Sequence, residues 1–300
     1  MRRRRYVQLL GGGSSLSAAG CTEQLGATTE REPSRASLTL ATATTAYDSG
    51  LLDELVPGFE ATFETTVKSL VRGTGASLRT ARDGDCDVVL VHARSLEDEF
   101  LRAGHGVNRR RLMVNDFVLV GPGDDPAGVA GRSPVEAFRA IVDEEVPFLS
   151  RGDNSGTHIR ERQVWEAAGV TPSGAWYRET GQGMGDTLTT AEQTGAYTLS
   201  DRGTFLAVSR DGPLAVHVAG GLDDPPSLLR NEYAVIPVNP ARYDSAYALA
   251  MAFVGYLTGP GQSAIEAFRV SGERAFHPAG VSPRPNFEQY VPGDWPTEES

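Results

Sequence analysis

The sequence predicts an α/β fold, and three observations point there. From Ser37 onward, short apolar runs alternate with amphipathic stretches in a βαβ rhythm. One run, Val88-Val89-Leu90-Val91, is continuously apolar, as a parallel strand covered on both faces must be. A chain of 300 residues, 40% of them apolar, can bury one large core or two modest ones, so two lobes are permitted.

Leu38 to Ala41 opens the series as a strand. A helix begins near Ser49. Leu52, Leu55, Val56, Phe59 and Phe63 repeat at helical spacing, with Asp48 or Ser49 as N-cap and Pro57 as a point of kinking or breakage. Val67 to Val71 is the next strand, a second helix follows, and Asp87 to His92 is the third strand. Ser95-Leu96-Glu97-Asp98 opens another helix. Phe117-Val118-Leu119-Val120 is strand-like and ends in Gly121-Pro122-Gly123, a turn signal that places a first crossover nearby.

A second α/β unit then spans residues 118–230. Pro147-Phe148-Leu149 and Ala196 to Leu199 are its strands, and Thr157 to Ala168 is a helix. The chain returns through the strand-like Tyr233 to Val238 and the apolar helix Ser245 to Leu257. The expected organisation is lobe I over residues 37–117 and 231–300 and lobe II over 118–230, without internal repeats.

The first residues read as an address. Arg3-Arg4-Arg5-Tyr6-Val7 precedes a weakly apolar stretch that is too short and glycine-rich to cross a membrane. The arginine pair resembles a twin-arginine export signal, and Ser17-Ala18-Ala19-Gly20-Cys21 resembles a lipobox in which Cys21 becomes the acylated first residue. Residues 1–21 are thus expected to be a signal. Residues 22–36, polar and aperiodic, are expected to be a flexible tether. The expected location is the outer face of the cytoplasmic membrane, held by one lipid anchor.

Charge narrows the function. Net charge is −11, and without residues 1–20 the chain has 24 basic against 39 acidic residues, which excludes a non-specific nucleic-acid binder. Lys68 is the only lysine, and this acidic, arginine-based composition suits a halophilic source. Cys21 and Cys86 give no disulfide framework and no cysteine-based zinc site. His92, His105, His158, His217 and His277 lack metal-ligand spacing, so neither metal nor cofactor is expected.

Three segments share one design, in which a strand ends, a Thr, Ser or Gly-rich loop follows and a helix begins. They are Thr42-Ala43-Thr44-Thr45, Gly73-Thr74-Gly75-Ala76-Ser77 and Ser150-Arg151-Gly152-Asp153-Asn154-Ser155-Gly156-Thr157. Singly, each hydroxyl reads as an N-cap. Together, on the carboxyl ends of strands that converge on one crevice, they read as donors around an anion. Arg151 either presents its planar fork to an oxyanion or pairs with Asp153 at the surface. Ser155, His158 and Asp201 superficially offer a hydrolase set, but Ser155 sits in no G-x-S-x-G elbow.

Several motifs resemble the tungstate-binding proteins of ABC transporters. They include Asp48-Ser49-Gly50, Gly73-Thr74-Gly75, Asp85-Cys86-Asp87 with Val88 to Ala93, Asn115-Asp116-Phe117-Val118, Ser150-Arg151-Gly152-Asp153, Trp176 to Gly185 and Tyr197 to Thr204. The resemblance implies a class II periplasmic-binding-protein-like fold, with two doubly wound, mostly parallel lobes joined by two crossovers. It implies tungstate or molybdate as ligand, an ABC permease as partner, and a monomer. By motif it carries over Thr44, Thr45, Thr74, Gly75, Arg151, Ser155 and Thr157 as contacts. Ala43 stands where the family usually has a hydroxyl.

Tungstate, molybdate and sulfate are unprotonated dianions near neutral pH and need donors only, whereas phosphate keeps a proton and rewards one acceptor. Sulfate and phosphate are therefore the alternatives within the binding class. An inward-facing Asp48, Asp153 or Asp201 would favour phosphate.

Overall fold

The computed structural model describes residues 36–223, 225–282 and 290. The expected export signal, Cys21 and all but the last residue of the tether lie outside the described residues. The chain begins β1 (Ser37–Ala43), α1 (Thr44–Asp48), α2 (Leu51–Phe63), β2 (Thr66–Arg72), α3 (Thr74–Arg82), β3 (Val88–Val91), α4 (Arg94–Arg102) and the long β4 (Arg110–Pro122). There follow α5 (Pro134–Asp143), β5 (Phe148–Ser150), α6 (Gly156–Ala168), β6 (Tyr177–Glu179), α7 (Met184–Thr194), β7 (Thr198–Asp201), α8 (Arg202–Val208) and β8 (Leu214–Ala219). Last come β9 (Arg230–Pro237), α9 (Tyr247–Thr258), α10 (Gly261–Ala267), β10 (Arg269–Val270), β11 (Glu273–Arg274) and β12 (His277–Pro278).

Two sheet regions share one strand. The first has the order β12-β4-β9-β3-β1-β2, with β1 parallel to both β2 and β3. In the second, β4 lies between β7 and β8, and β7 leads to the parallel pair β5 and β6 through a bridge from Phe148 to Tyr197. Residues 110–116 of β4 pair with β9, and residues 117–122 pair with β7 and β8. The α/β class stands, in mixed form, because every pairing of β4 is antiparallel. The buried β3 likewise has a parallel neighbour on one side and antiparallel β9 on the other.

Asp116 lies where β4 passes from one region to the other. Its carboxylate is bound by Arg202, with Nε 2.5 Å from Oδ1, and accepts the backbone N–H groups of Gly220 and Gly221 at 2.8 and 2.9 Å. The return passage is thereby tied to the outward one.

The first helix departs from expectation. Instead of one helix capped by Asp48 or Ser49, α1 and α2 are separated by Gly50, whose φ of 81° is left-handed backbone that favours glycine. Pro57 lies inside α2 without ending it, and the helix buries Leu51, Leu52, Leu55 and Phe59. At Gly58 an added Cβ would fall 2.1 Å from the Tyr256 hydroxyl, so α9 packs directly on the α2 backbone. On the other face of the first sheet, Leu78, Ala81 and Phe100 pack on Ala41, Val89 and Val91. The second region centres on Phe138, Phe148 and Trp165, with ring centroids of Phe138 and Trp165 4.3 Å apart. Burying each such side chain stabilises the fold by about 1.5–3 kcal/mol, which fixes the strand ends that carry the loops.

Candidate functional site

The three loops meet. A Cβ added to Gly73, at the end of β2, would lie 3.4 Å from Asp153 Oδ2, 3.6 Å from Ser155 Cβ and 3.9 Å from Arg151 Nη2. One added to Gly75 would lie 3.1 Å from the Asn154 carbonyl oxygen. At the start of α6, Gly156 lies against the ring of His92, which follows β3, and His92 Nε2 is 3.1 Å from Thr45 Oγ1 in α1. Glycine at 75 and 156 permits the closest of these approaches.

Five donors in these loops have no partner. Thr44 Oγ1, Thr74 Oγ1, Ser77 Oγ, Thr157 Oγ1 and Arg151 Nη1 are buried without a hydrogen bond among the described residues. An unsatisfied buried polar group costs about 1–3 kcal/mol, so five on converging loops mark a place built for an acceptor. Unpartnered atoms also occur at Ser209 and Ser245, outside these loops.

Arg151 combines both of its sequence readings. It is 2% exposed, its Nη2 contacts Asp153 Oδ2 at 2.6 Å, and its Nε donates to the Gln182 carbonyl at 3.3 Å. Pairing with Asp153 thus orients a buried guanidinium and leaves Nη1 over. The other expected contacts stand differently. Ser155 caps α6 by accepting the His158 N–H at 3.2 Å. Gly75 offers only backbone. The Thr45 hydroxyl is engaged by His92 Nε2 and, at 3.0 Å, by the Tyr233 hydroxyl.

Two carboxylates are already engaged by donors. Asp153 takes Arg151 and the Ser155 N–H, and Asp201 takes Tyr233, Asn231, Asn115 and the Thr204 N–H. Asp48 is half-buried, and burial raises its pKa while Arg151 lowers it. Burial holds His92 down to about 4 and also lowers His158, so both rings are neutral at pH 7.

The hydrolase set is not assembled. Ser155 Oγ meets the His158 backbone, His158 Nδ1 faces the Asn154 N–H at 3.0 Å, and Asp201 bonds elsewhere. Cys86 is buried, and burial pushes its thiol up to about 12, so it is unreactive.

A polar layer behind these loops escaped the sequence reading. Asn115, Asn231, Tyr233, Asp201, Thr45 and His92 form one hydrogen-bonded network, all nine-tenths or more buried. The available signal was Asn115 interrupting the apolar run Leu112-Met113-Val114, since a buried strand tolerates asparagine only when its amide is bonded. Beside Gly75 and Asn154, a groove of about 770 Å3 runs outward between α3, α4 and α6.

Residues 27–260 match the PBP superfamily domain. A Haloferax volcanii protein named for ABC-transporter anion binding is 52% identical over 308 aligned positions, covering 97% of this chain and 90% of its own. The tungstate-binding protein TupA of Peptoclostridium acidaminophilum is 41% identical, over 78% of this chain and 82% of its own. Among solved structures, the tungstate ABC transporter protein of Geobacter sulfurreducens is 43% identical with a TM-score of 0.71, covering 77% of this chain and 98% of that one. The chain therefore belongs to the PBP superfamily, in the family of the tungstate-binding proteins of ABC transporters.

Proposed function

We propose that the protein is an extracytoplasmic receptor that captures tungstate, and accepts molybdate, between two lobes and delivers it to an ABC importer. The observation that carries this reading is the set of unpartnered donors at Thr44, Thr74, Thr157 and Arg151. A cluster of unpartnered donors suits a dianion, and the engagement of Asp153 and Asp201 by other donors weighs against phosphate. The names of the relatives support the same ligand class.

Lobe I takes residues 37–117 and 231–300 and lobe II residues 118–230, with the anion enclosed where they meet. Closure changes the outer shape that a permease reads. The N-terminal signal and Cys21 tether a non-catalytic, monomeric receptor to the outer membrane face of a halophile, near its permease.

Calorimetric titration of the full chain in high salt with tungstate, molybdate, sulfate and phosphate tests the reading. Tungstate is expected to bind tightest and phosphate weakest. Arg151→Ala is expected to weaken tungstate binding by more than about tenfold, the scale of one charge-assisted contact. Absence of binding to all four anions would sink the proposal.

A further inference from the structure

Four of the unpartnered donors stand at the start of a helix or just before one, and Ser77 stands deeper. It lies inside α3, one turn beyond Thr74, fully buried. A hydroxyl at that depth has a ready acceptor in the carbonyl four residues back. In α7, Thr187 holds the same position relative to its capping glycine and donates to the Gly183 carbonyl at 2.9 Å. Thr80, in α3 itself, donates to the Ala76 carbonyl at 3.1 Å.

Ser77 declines the equivalent bond. The Gly73 carbonyl is in place, since it accepts the Ser77 N–H at 2.9 Å, yet Ser77 Oγ has no partner among the described residues. The hydroxyl is turned elsewhere.

The buried face of α3 shows where. Thr74, Ser77, Leu78 and Ala81 form it, and Leu78 and Ala81 pack on Ala41 of β1. Residues two apart on a strand share a face, so Ala43, buried at the end of β1, continues the row of Ala41 towards the site with only a methyl group. Because α3 links the parallel strands β2 and β3 by way of β1, it runs back along β1, with Thr74 at the strand ends and Ser77 one step below. This is the helix end whose Gly73 and Gly75 abut Arg151, Ser155 and Asn154.

We propose that Ser77 selects the anion by size, its hydroxyl meeting an oxygen of tungstate or molybdate and falling short of sulfate. This rests on the receptor function proposed above. The three ions share charge and tetrahedral shape, so donors at the rim cannot separate them. Three residues of helix set Ser77 about 4.5 Å further along the α3 axis than Thr74. An ion seated on Thr44, Thr74, Thr157 and Arg151 reaches that deeper hydroxyl only when the bonds to its oxygens are long. Tungsten and molybdenum carry oxygen on longer bonds than sulfur does. The larger ions therefore relieve an unpaired buried hydroxyl that sulfate leaves unpaired. A neutral hydroxyl acts only in contact, whereas the Arg151 guanidinium attracts any dianion, so the two residues divide size selection from affinity.

Calorimetric titration of the full chain and of Ser77→Ala with tungstate, molybdate and sulfate, sulfate also read by its competition with tungstate, tests the assignment. Ser77→Ala is expected to weaken tungstate and molybdate binding by about fivefold, the scale of one neutral hydrogen bond, and to leave sulfate unchanged. Ligand-free Tm should hold or rise, because alanine suits a helix better than serine and the lost hydroxyl bonds nothing. Thr80→Ala, which removes the back-bonded hydroxyl of the same helix, should leave all three affinities unchanged. Tungstate affinity within twofold of wild type in Ser77→Ala, equal losses for all three anions, or an equal loss in Thr80→Ala overturns the role of Ser77 and leaves the receptor reading standing. Failure of the wild type to bind any oxyanion overturns both.

Discussion

Gly156→Ala tests whether the anion site forms only when the two halves close. The new Cβ would lie 2.6 Å from His92 Cε1, 2.7 Å from Nε2 and 2.8 Å from Nδ1. Contacts of carbon are comfortable near 3.5 Å, so something must give by roughly 1 Å. The ring cannot step aside cheaply, because its nitrogens bond Thr45 and Asn231 and its faces stack on Phe117 and Tyr233. Overpacking of this kind costs about 1–3 kcal/mol, equivalent to a Kd raised by about 5- to 150-fold. With the halves apart the clash vanishes, and alanine in a helix is up to about 1 kcal/mol better than glycine. Ligand-free Tm should therefore hold or rise while tungstate affinity, measured by calorimetry, falls. An affinity within twofold of wild type, together with a lowered ligand-free Tm, would refute the idea that Gly156 and His92 meet through closure.

Two further perturbations separate binding from folding. Thr157→Val or Thr74→Val removes a buried hydroxyl that has no partner, so unfolding of the ligand-free chain should be unchanged or slightly harder. Tungstate affinity should drop by about 1 kcal/mol, or roughly fivefold, per hydroxyl lost; equal losses in stability and affinity would reduce these threonines to packing. Glu161 is buried against Trp165 and Tyr177, and burial raises its carboxyl to about 7. Its folded pKa lies above the unfolded 4.5, so folding is favoured below pH 4.5 and loses up to about 3 kcal/mol as pH climbs through 7. Glu161→Gln keeps the acceptor oxygen and should stabilise the protein at pH 8 but hardly at pH 5 in denaturant titrations; a difference independent of pH would contradict it.

Periodicity carried most of the fold. Val88–Val91 declared a buried strand because four consecutive apolar residues suit a strand covered on both faces, although its antiparallel neighbour β9 arrives from 140 residues away and leaves no local trace. The split between α1 and α2 was hidden because Gly50 acts through its backbone angle, which an otherwise helical apolar pattern masks. At the site, loop chemistry pointed to Thr44, Thr74, Thr157 and Arg151, whose donors the structure leaves over. It could not distinguish Thr45, one position from Thr44, whose hydroxyl turns inward to His92 and Tyr233. Facing is set by the tertiary partners, and those lie 47 and 188 positions away.

The clasp at Asp116 constrains how such a molecule can move. Two independent connections would let the halves slide and skew as well as close. With Arg202, Gly220 and Gly221 all bound to one carboxylate on β4, the outward and return passages between the two sheet regions are cross-linked side by side, an arrangement that favours hinging over sliding. A substitution at Gly220 or Gly221 would then act on the junction and leave the loops of Thr44, Thr74, Thr157 and Arg151 untouched.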